Sequence, residues 1–280
     1  RYEGARRRFD VRYEDADVMV VDDYAHHPTE IRATLAAAKN AGRRRVFAIF
    51  QPHRYTRTFH LRGAFGVAFE QADRVLTTDV YAAGERPIEG ADGGSLFRVI
   101  RNSKGDAAAY EPSLDRLPRR VLRELAQGDM ALFLGAGSIS EVADVVAGRL
   151  RLVASLREHL SPASRVVRNE PLAKHTTMRV GGPADIWIEP AGEEDLSTAL
   201  KLCAAAHVPV TLIGRGSNLL VRDGGIAGAC IRLASNFFSE IAVLEGDRLR
   251  AGAGAKLRAI VQEAKGAGIG GMEFMEGIPG

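Results

Sequence analysis

The sequence predicts two consecutive units, an α/β unit built on a mostly parallel sheet and a strand-rich α+β unit after it. Three observations carry that expectation. Between residues 18 and 148 short β-branched runs alternate with stretches of helical spacing, the signature of a parallel sheet covered by helices. Beyond Pro171 the style changes and strands crowd together across short turns. The chain also has 280 residues, more than one average domain of roughly 100 to 200 residues needs.

In the first unit, expected over 1–148, residues 18–21 form the first strand. Pro28 suits the first turn of a helix with Ile31, Leu35 and Ala38 on one face and Gly42 as its stop. Residues 46–50 are the second strand, and a loop through Arg57 leads to a helix carrying Phe65 and Phe69. The strand 75–78 opens a loop from 79 to 94, long enough to suggest function. Ser95 caps a short helix with Leu96, Val99 and Ile100, 107–110 is a weak strand, and 114–126 is a helix ended near Gly128. The fifth strand, 130–134, exits through Gly135-Ala136-Gly137-Ser138 into a helix over 139–147.

A junction is expected over 149–168, where helical spacing at 150–160 is broken by Ser161-Pro162. The second unit, 169–280, then reads as strand 185–188, helix 195–206 with Leu196, Leu200 and Cys203 on one face, and strand 210–213. Strands at 219–222, 229–233, 241–244 and 249–253 follow, with Glu245-Gly246-Asp247 as a hairpin turn and a helix over 256–264. Trp187, Cys203 and Cys230 are expected to be buried, and His207 to end a helix favourably. The final element of this unit is not in the sequence, which also starts at Arg1, so a piece of a longer protein is expected.

Composition narrows the function. Hydrophobic residues make up 46% and charged residues 26%, and apolar runs fall far short of the roughly 18 residues a membrane helix needs, so no membrane span is expected. The net charge of +3 and the short clusters Arg6–Arg8 and Arg43–Arg45 do not make a nucleic-acid stripe, so no nucleic-acid partner is expected. Two cysteines imply neither a disulfide framework nor a cysteine zinc site, which fits a reducing, cytoplasmic compartment. Convergence of His26, His27, His53 and His60 on a metal is not indicated by their spacing, and no metal site is expected.

Asp22-Asp23-Tyr24-Ala25-His26-His27-Pro28 lies where a strand ends and a helix begins, the place where parallel sheets bind ligands. Asp23 can accept from ribose hydroxyls, while the run can equally be a helix cap with surface histidines. Gln51-Pro52-His53-Arg54-Tyr55-Thr56-Arg57-Thr58 sets two guanidiniums beside an imidazole, an anion clamp in composition or else a solvated turn. Together with Asp79–Glu85, Pro87–Asp92 and Gly135–Ile139 in this order, these runs resemble the C-terminal domain of the Mur ligase family, in its alanine-adding branch. The resemblance implies a Rossmann-like domain of an enzyme that joins L-alanine to UDP-N-acetylmuramate at the expense of ATP with Mg2+. It places Asp23 at the ATP ribose and Tyr24, His53, Arg54 and Arg57 in the L-alanine region. One departure stands out: no G-x-x-x-x-G-K-[ST] phosphate loop occurs in the sequence, so the phosphate cradle is expected upstream of Arg1.

In the second unit Gly214-Arg215-Gly216-Ser217-Asn218-Leu219 is either a tight turn or a nest of backbone N–H groups for a pyrophosphate. With Thr176–Ala184, Ala251–Gly254 and Gly277–Gly280 it resembles the FAD-binding half of the UDP-N-acetylenolpyruvylglucosamine reductase family, an α+β domain of the vanillyl-alcohol oxidase type, incomplete at its C-terminus. That resemblance implies hydride transfer from NADPH through FAD to the enolpyruvyl group, which yields UDP-N-acetylmuramate. It places Gly214, Gly216, Ser217, Asn218, Leu219, Gly277, Ile278, Pro279 and Gly280 at the FAD phosphates, with Thr177 and Arg179 near the cofactor. The family's catalytic residues belong to later segments, so no catalytic residue is assigned here. The expected whole is a fusion of two neighbouring steps acting on UDP-linked amino sugars. Competing readings are a pair of nucleotide- and flavin-binding modules without turnover, and a flavin oxidase of the same wider fold. The oxidase reading predicts nothing for the 22–28 and 53–57 runs.

Overall fold

The computed structural model describes residues 7–275 and residue 278. In the first unit, Arg1–Leu150, the chain runs β1 (Asp10–Glu14), β2 (Val18–Asp23), α1 (Pro28–Asn40), β3 (Arg45–Phe50), α2 (Tyr55–His60), α3 (Arg62–Ala68), β4 (Arg74–Thr77), α4 (Gly93–Lys104), β5 (Ala108–Tyr110), α5 (Leu117–Glu124) and β6 (Asp129–Leu134), with α6 (Ile139–His159) starting from it. The sheet order is β1-β2-β6-β3-β4-β5, antiparallel only at β1.

Alternation along the central strands builds a core on each face. Met19, Val21, Val46, Ala48, Phe50, Met130, Leu132 and Leu134 point to the side covered by Ile31 and Leu35 of α1, Phe65 of α3 and Leu96 and Ile100 of α4. Val20, Phe47, Ile49, Ala131 and Phe133 point to the other, covered by Leu117 and Val121 of α5 and by Ile139, Val142, Ala143 and Val146 of α6. A strand buried on both faces reads as a continuous apolar run, which is why the inner strands were legible in the sequence. β1 was not, because the edge strand Asp10-Val11-Arg12-Tyr13-Glu14 is mostly charged and half-solvated. The loop expected through Arg57 is also corrected: residues 55–60 are helical, so Arg57 stands in α2.

The second unit, Arg151–Gly280, continues with β7 (Arg165–Pro171), β8 (Pro183–Glu189), α7 (Glu193–Ala205), β9 (Val210–Leu212), β10 (Ile226–Ile231), α8 (Asn236–Ser239), β11 (Ile241–Leu244), β12 (Arg248–Ala251) and α9 (Leu257–Gly266). A four-stranded sheet runs β7-β8-β10-β9, parallel except at β7, and β11-β12 form a hairpin. Ile186, Ile188, Ala229 and Ile231 meet Cys203 and Ala199 of α7 and Leu152, Val153 and Leu156 of α6. Trp187 and Cys230 point into a second cluster with Leu172, Ile213 and Val221.

Three expectations change here. The stretch 149–168 is helix as far as His159 and strand from Arg165, because the apolar spacing of Leu152, Val153 and Leu156 has a core to enter. β7 was not foreseen, since its polar residues sit on an edge strand that only the pairing with β8 identifies. The strand expected at 219–222 is absent: Leu219 and Leu220 are exposed, and the segment crosses between β9 and β10 without a ladder. Among the described residues no helix is long and apolar enough to cross a membrane.

Candidate functional site

β2, β6, β3 and β4 all point the same way, so the residues after their last positions gather along one edge of the sheet. Asp23 ends β2 and is 4% exposed; its carboxylate accepts from the N–H of Phe9 at 2.8 Å and of Ala25 at 2.8 Å, and from Thr34 Oγ1 at 3.3 Å. The next turn is closed by a capping box, in which the His27 ring accepts from Thr29 N while Glu30 Oε2 accepts from His27 N at 3.2 Å. His27 is thus the helix cap. His26 turns the other way, its ring centroid 5.1 Å from that of Tyr24, edge on, and 5.6 Å from that of His53. His53 in turn stacks on Tyr81 at 5.5 Å and 14°. Tyr24, His26, His53 and Tyr81 so form a continuous row of rings, with Arg7 lying 5.2 Å over Tyr24.

Arg57 reaches back one turn and places Nη1 3.2 Å from His53 Nδ1 and 3.3 Å from the His53 carbonyl. A guanidinium only donates, so Nδ1 accepts and the ring proton of His53 is assigned to Nε2. Burial first, then the electrostatic influence of Arg57, His26 and Arg54, holds the His53 pKa below the ordinary histidine value against the opposing charge of Glu85, so the ring is neutral at pH 7. Arg54 is exposed and holds a left-handed φ of 71°, a conformation that needs external support in a non-glycine residue. The support is the Tyr81 carbonyl, which accepts from Arg54 N at 2.9 Å.

The exit of β6 is tied into the same edge. Gln51, 2% exposed, accepts from Ile139 N at 3.0 Å and donates to Ser138 Oγ at 3.3 Å. Gly137 must be glycine, because a Cβ there would lie 2.5 Å from Tyr81 Cγ and 2.6 Å from Gln51 Oε1. Arg7 donates to the Gly135 carbonyl at 2.7 Å while its Nε is 3.1 Å from the buried Asp22 carboxylate.

In the second unit two distant runs come together. Thr177 N donates to the Gly216 carbonyl at 3.0 Å, and Gly182 N to that of Arg222 at 3.0 Å. Gly216 has φ 69°, and a Cβ on it would fall 2.0 Å from the His175 carbonyl oxygen, so the backbones approach as only glycine permits. A Cβ on Gly214 would meet nothing, and Thr177, Arg179, Gly214, Ser217, Asn218 and Leu219 are exposed. Beneath them His175 stacks on Trp187 at 4.0 Å and sits between Glu170, 2.9 Å from Nε2, and Arg232, 3.2 Å from Nδ1. Burial works against the charge of Glu170, but the bond from His175 and the charge of Arg165 hold its pKa below the usual carboxylate range.

Residues 7–137 match the family model of the Mur ligase glutamate ligase domain, and residues 184–280 match that of an FAD binding domain. The chain carries a Mur ligase C-terminal domain followed by an FAD-binding domain. The UDP-N-acetylmuramate--L-alanine ligase of Solibacter usitatus is 46% identical over 150 residues, which cover 54% of this chain and 32% of that protein. The enzyme of the same name from Pelobacter propionicus is 48% identical over 141 residues, 50% of this chain and 30% of its own length. The chain therefore spans about a third of the curated relatives it matches. The crystal structure of UDP-N-acetylmuramate-alanine ligase from Thermotoga maritima aligns at 30% identity with a TM-score of 0.44, covering 54% of this chain and 31% of that one.

Within the ligase domain the structure gathers Tyr24, His53 and Arg57 and sets Arg54 at their side. Asp23 faces inward, and its three donors are all within the domain, so its observed work is to fix the turn that carries Tyr24. His26, Gln51 and Tyr81 belong to the same constellation, and sequence reading gave them no role. His26 had a signal, since the box that consumes His27 frees its neighbour, whereas Tyr81 opens the long 79–94 loop and shows its stacking only once β4 lies beside β3. In the FAD-binding domain Thr177 meets the run 214–219 through its N–H on the Gly216 carbonyl, whereas the Arg179 N–H turns back to the Thr176 carbonyl at 3.1 Å. Ile278 is exposed, and Gly277, Pro279 and Gly280 lie outside the described residues. An exposed glycine turn with hydroxyl and amide side chains suits the phosphates of a dinucleotide cofactor, so the residues fit FAD. Among the described residues no three His, Cys, Asp or Glu side chains come together as a metal site.

Proposed function

We propose that this chain is part of a cytoplasmic bifunctional enzyme of peptidoglycan-precursor synthesis, which reduces UDP-N-acetylenolpyruvylglucosamine with NADPH and FAD and ligates L-alanine to the resulting UDP-N-acetylmuramate with ATP and Mg2+. The observation that carries the ligase reading is the Arg57–His53 pair beside Arg54 and the Tyr24 ring, at the edge of the sheet where ligands bind. Arg54 and Arg57 grip the carboxylate of the amino acid, and the neutral His53 offers its Nε2 proton as a further donor. Held by that end, the amine points away toward the activated acyl group, which is catalysis by orientation. Asp23 acts through the turn it holds, and a contact to the ATP ribose would use what acceptor capacity its carboxylate keeps. The names of the relatives support alanine as the amino acid.

For the reductase step, FAD would supply hydride transfer, and Gly214–Leu219 with Thr177, Arg179 and the Gly277–Gly280 run would bind its phosphates. The match of an FAD binding domain to residues 184–280 supports this. The experiment is made on the full-length protein that contains this chain. Flavin absorbance bleached by NADPH and restored by UDP-N-acetylenolpyruvylglucosamine is expected, together with phosphate release that requires UDP-N-acetylmuramate, L-alanine and ATP. A protein that consumes oxygen and releases no phosphate would be a flavin oxidase, and one that binds nucleotides and flavin without turnover would be a binding module.

A further inference from the structure

The clamp described above is built on a helix that cannot cap itself. α2 has six residues, and its N-cap, Arg54, makes no side-chain hydrogen bond to the first turn. The exposed amides of that turn are served from another loop. Glu85 Oε2 accepts from Thr56 N at 3.0 Å, Glu85 Oε1 accepts from Thr56 Oγ1 at 2.7 Å, and the same carboxylate bonds the Tyr55 amide. Those bonds hold its pKa below the usual carboxylate range, so it is ionised at neutral pH.

The loop is shaped to deliver it. Ala83 and Gly84 both take left-handed φ values, 50° and 83°, and turn the chain so that Glu85 N bonds the Ala82 carbonyl and its side chain returns to α2. At the start of the same loop, Tyr81 N donates to the Pro52 carbonyl at 2.8 Å and the Tyr81 carbonyl holds Arg54 N. The segment 81–85 therefore grips 52–56 at both ends. The contact that matters chemically, Arg57 Nη1 to His53 Nδ1, spans this gripped stretch, with His53 before the cap and Arg57 in the first turn after it. Fraying of that turn separates the two, because their distance depends on helical geometry between 54 and 57.

We propose that Glu85 is a positioning residue of the carboxylate clamp: by capping α2 from the loop between β4 and α4 it holds Arg57 on His53 and so fixes both the guanidinium and the ring tautomer that face the amino acid. The role of the clamp rests on the function proposed above; the effect on His53 does not. Glu85 makes no hydrogen bond to His53 or Arg57, but its charge also favours the protonated His53 ring through space. Glu85→Gln removes that charge and keeps the cap, so it isolates the effect that runs through the helix.

The test separates the two levels. In this 280-residue chain, long-range proton–nitrogen spectra of the His53 ring report which nitrogen carries the proton. The native chain is expected to show the Nε2-protonated form, Glu85→Ala a mixture of tautomers, and Glu85→Gln, whose amide oxygen still accepts from Thr56, the native pattern. Glu85 is half-buried, and unchanged amide signals from the buried strands check that each variant is folded. A native tautomer in Glu85→Ala overturns the proposal whatever the enzyme does. In the full-length protein, Glu85→Ala is expected to raise the KM for L-alanine about fivefold, as loss of a cap worth about 1 kcal/mol does, with kcat nearly unchanged and Glu85→Gln close to native. A KM that stays native in Glu85→Ala while the tautomer is lost removes the clamp from alanine binding and overturns that half of the proposal. Absence of alanine-dependent phosphate release in the native protein overturns the ligase reading instead, and the spectra still decide the role of Glu85.

Discussion

The ligase-side edge of the first unit and the flavin-side turns of the second are built from opposite materials. In the first, side chains do the work: a row of four rings, two arginines on the 53–57 turn, and Gln51 and Glu85 as ties. In the second, backbone meets backbone across glycines, with Gly216 against His175, Gly182 against Asp223 and Gly225 against Pro183. A planar carboxylate is recognised by a fork of donors aimed from side chains, which demands rotamers fixed by neighbours. A pyrophosphate is recognised by a concave run of N–H groups, which demands a backbone path that Cβ atoms would block. The two sites should therefore fail differently.

The sharpest way to break that contrast is to add a side chain where backbones touch. Gly216→Val combines a left-handed φ with a Cβ 2.0 Å from a carbonyl oxygen. It is expected to cost on the order of 3 kcal/mol or more and to abolish flavin binding. Flavin absorbance and a urea melt read both, while the ring spectra of His53 stay native.

Arg57→Ala makes the complementary cut. Losing a charge-assisted hydrogen bond of about 1.5 to 3 kcal/mol should raise the KM for L-alanine by about tenfold to a hundredfold and leave flavin absorbance untouched. An equal loss in both activities would show that the two regions are not independent.

Gly137→Ala sharpens the comparison from inside the ligase domain, since it places a backbone constraint in the side-chain-built site. Its Cβ would overlap the Tyr81 ring at 2.5 Å, so Tyr81 must leave the stack on His53. A loss of about 1 to 3 kcal/mol in a urea melt is expected, with weaker alanine binding.

The smallest effect is electrostatic. The His53 pKa is lowered in the folded state, so the unfolded chain binds the proton more readily as pH falls below about 6.5. Stability of the first unit should therefore decline as pH drops from 6.5 toward the lowered value, and be unaffected above it. Urea midpoints across pH 5 to 8 check this, and His53→Gln should remove the slope in that window.

Much of this molecule is legible in its sequence where one physical rule acts alone. Strands with both faces buried, such as Val46–Phe50 and Met130–Leu134, must be uniformly apolar, and Pro28 after a capping residue must start a helix. The candidate residues Tyr24, His53, Arg54 and Arg57 were singled out because strand exits in a parallel sheet are ligand positions. Edge strands β1 and β7 escaped because solvent on one side erases the apolar pattern. The helical state of Arg57 escaped because the cap that stabilises α2 comes from Glu85, some thirty residues away, and the run carries no local start signal.

What the sequence determined by itself is the alternation of elements, the two cores they imply, and the residue types able to hold an anion at two places. These follow from periodicity and chemistry within a few residues of each position. The tertiary structure alone decided which of two adjacent histidines caps a helix and which joins the ring row, that Asp23 spends its carboxylate on the fold, and that Tyr81, Gln51 and Glu85 tie into the same sheet edge. The physical reason is that hydrogen bonds and ring contacts are satisfied by whatever the sheet order brings within a few ångströms, and the order β2-β6-β3-β4 brings together residues far apart along the chain.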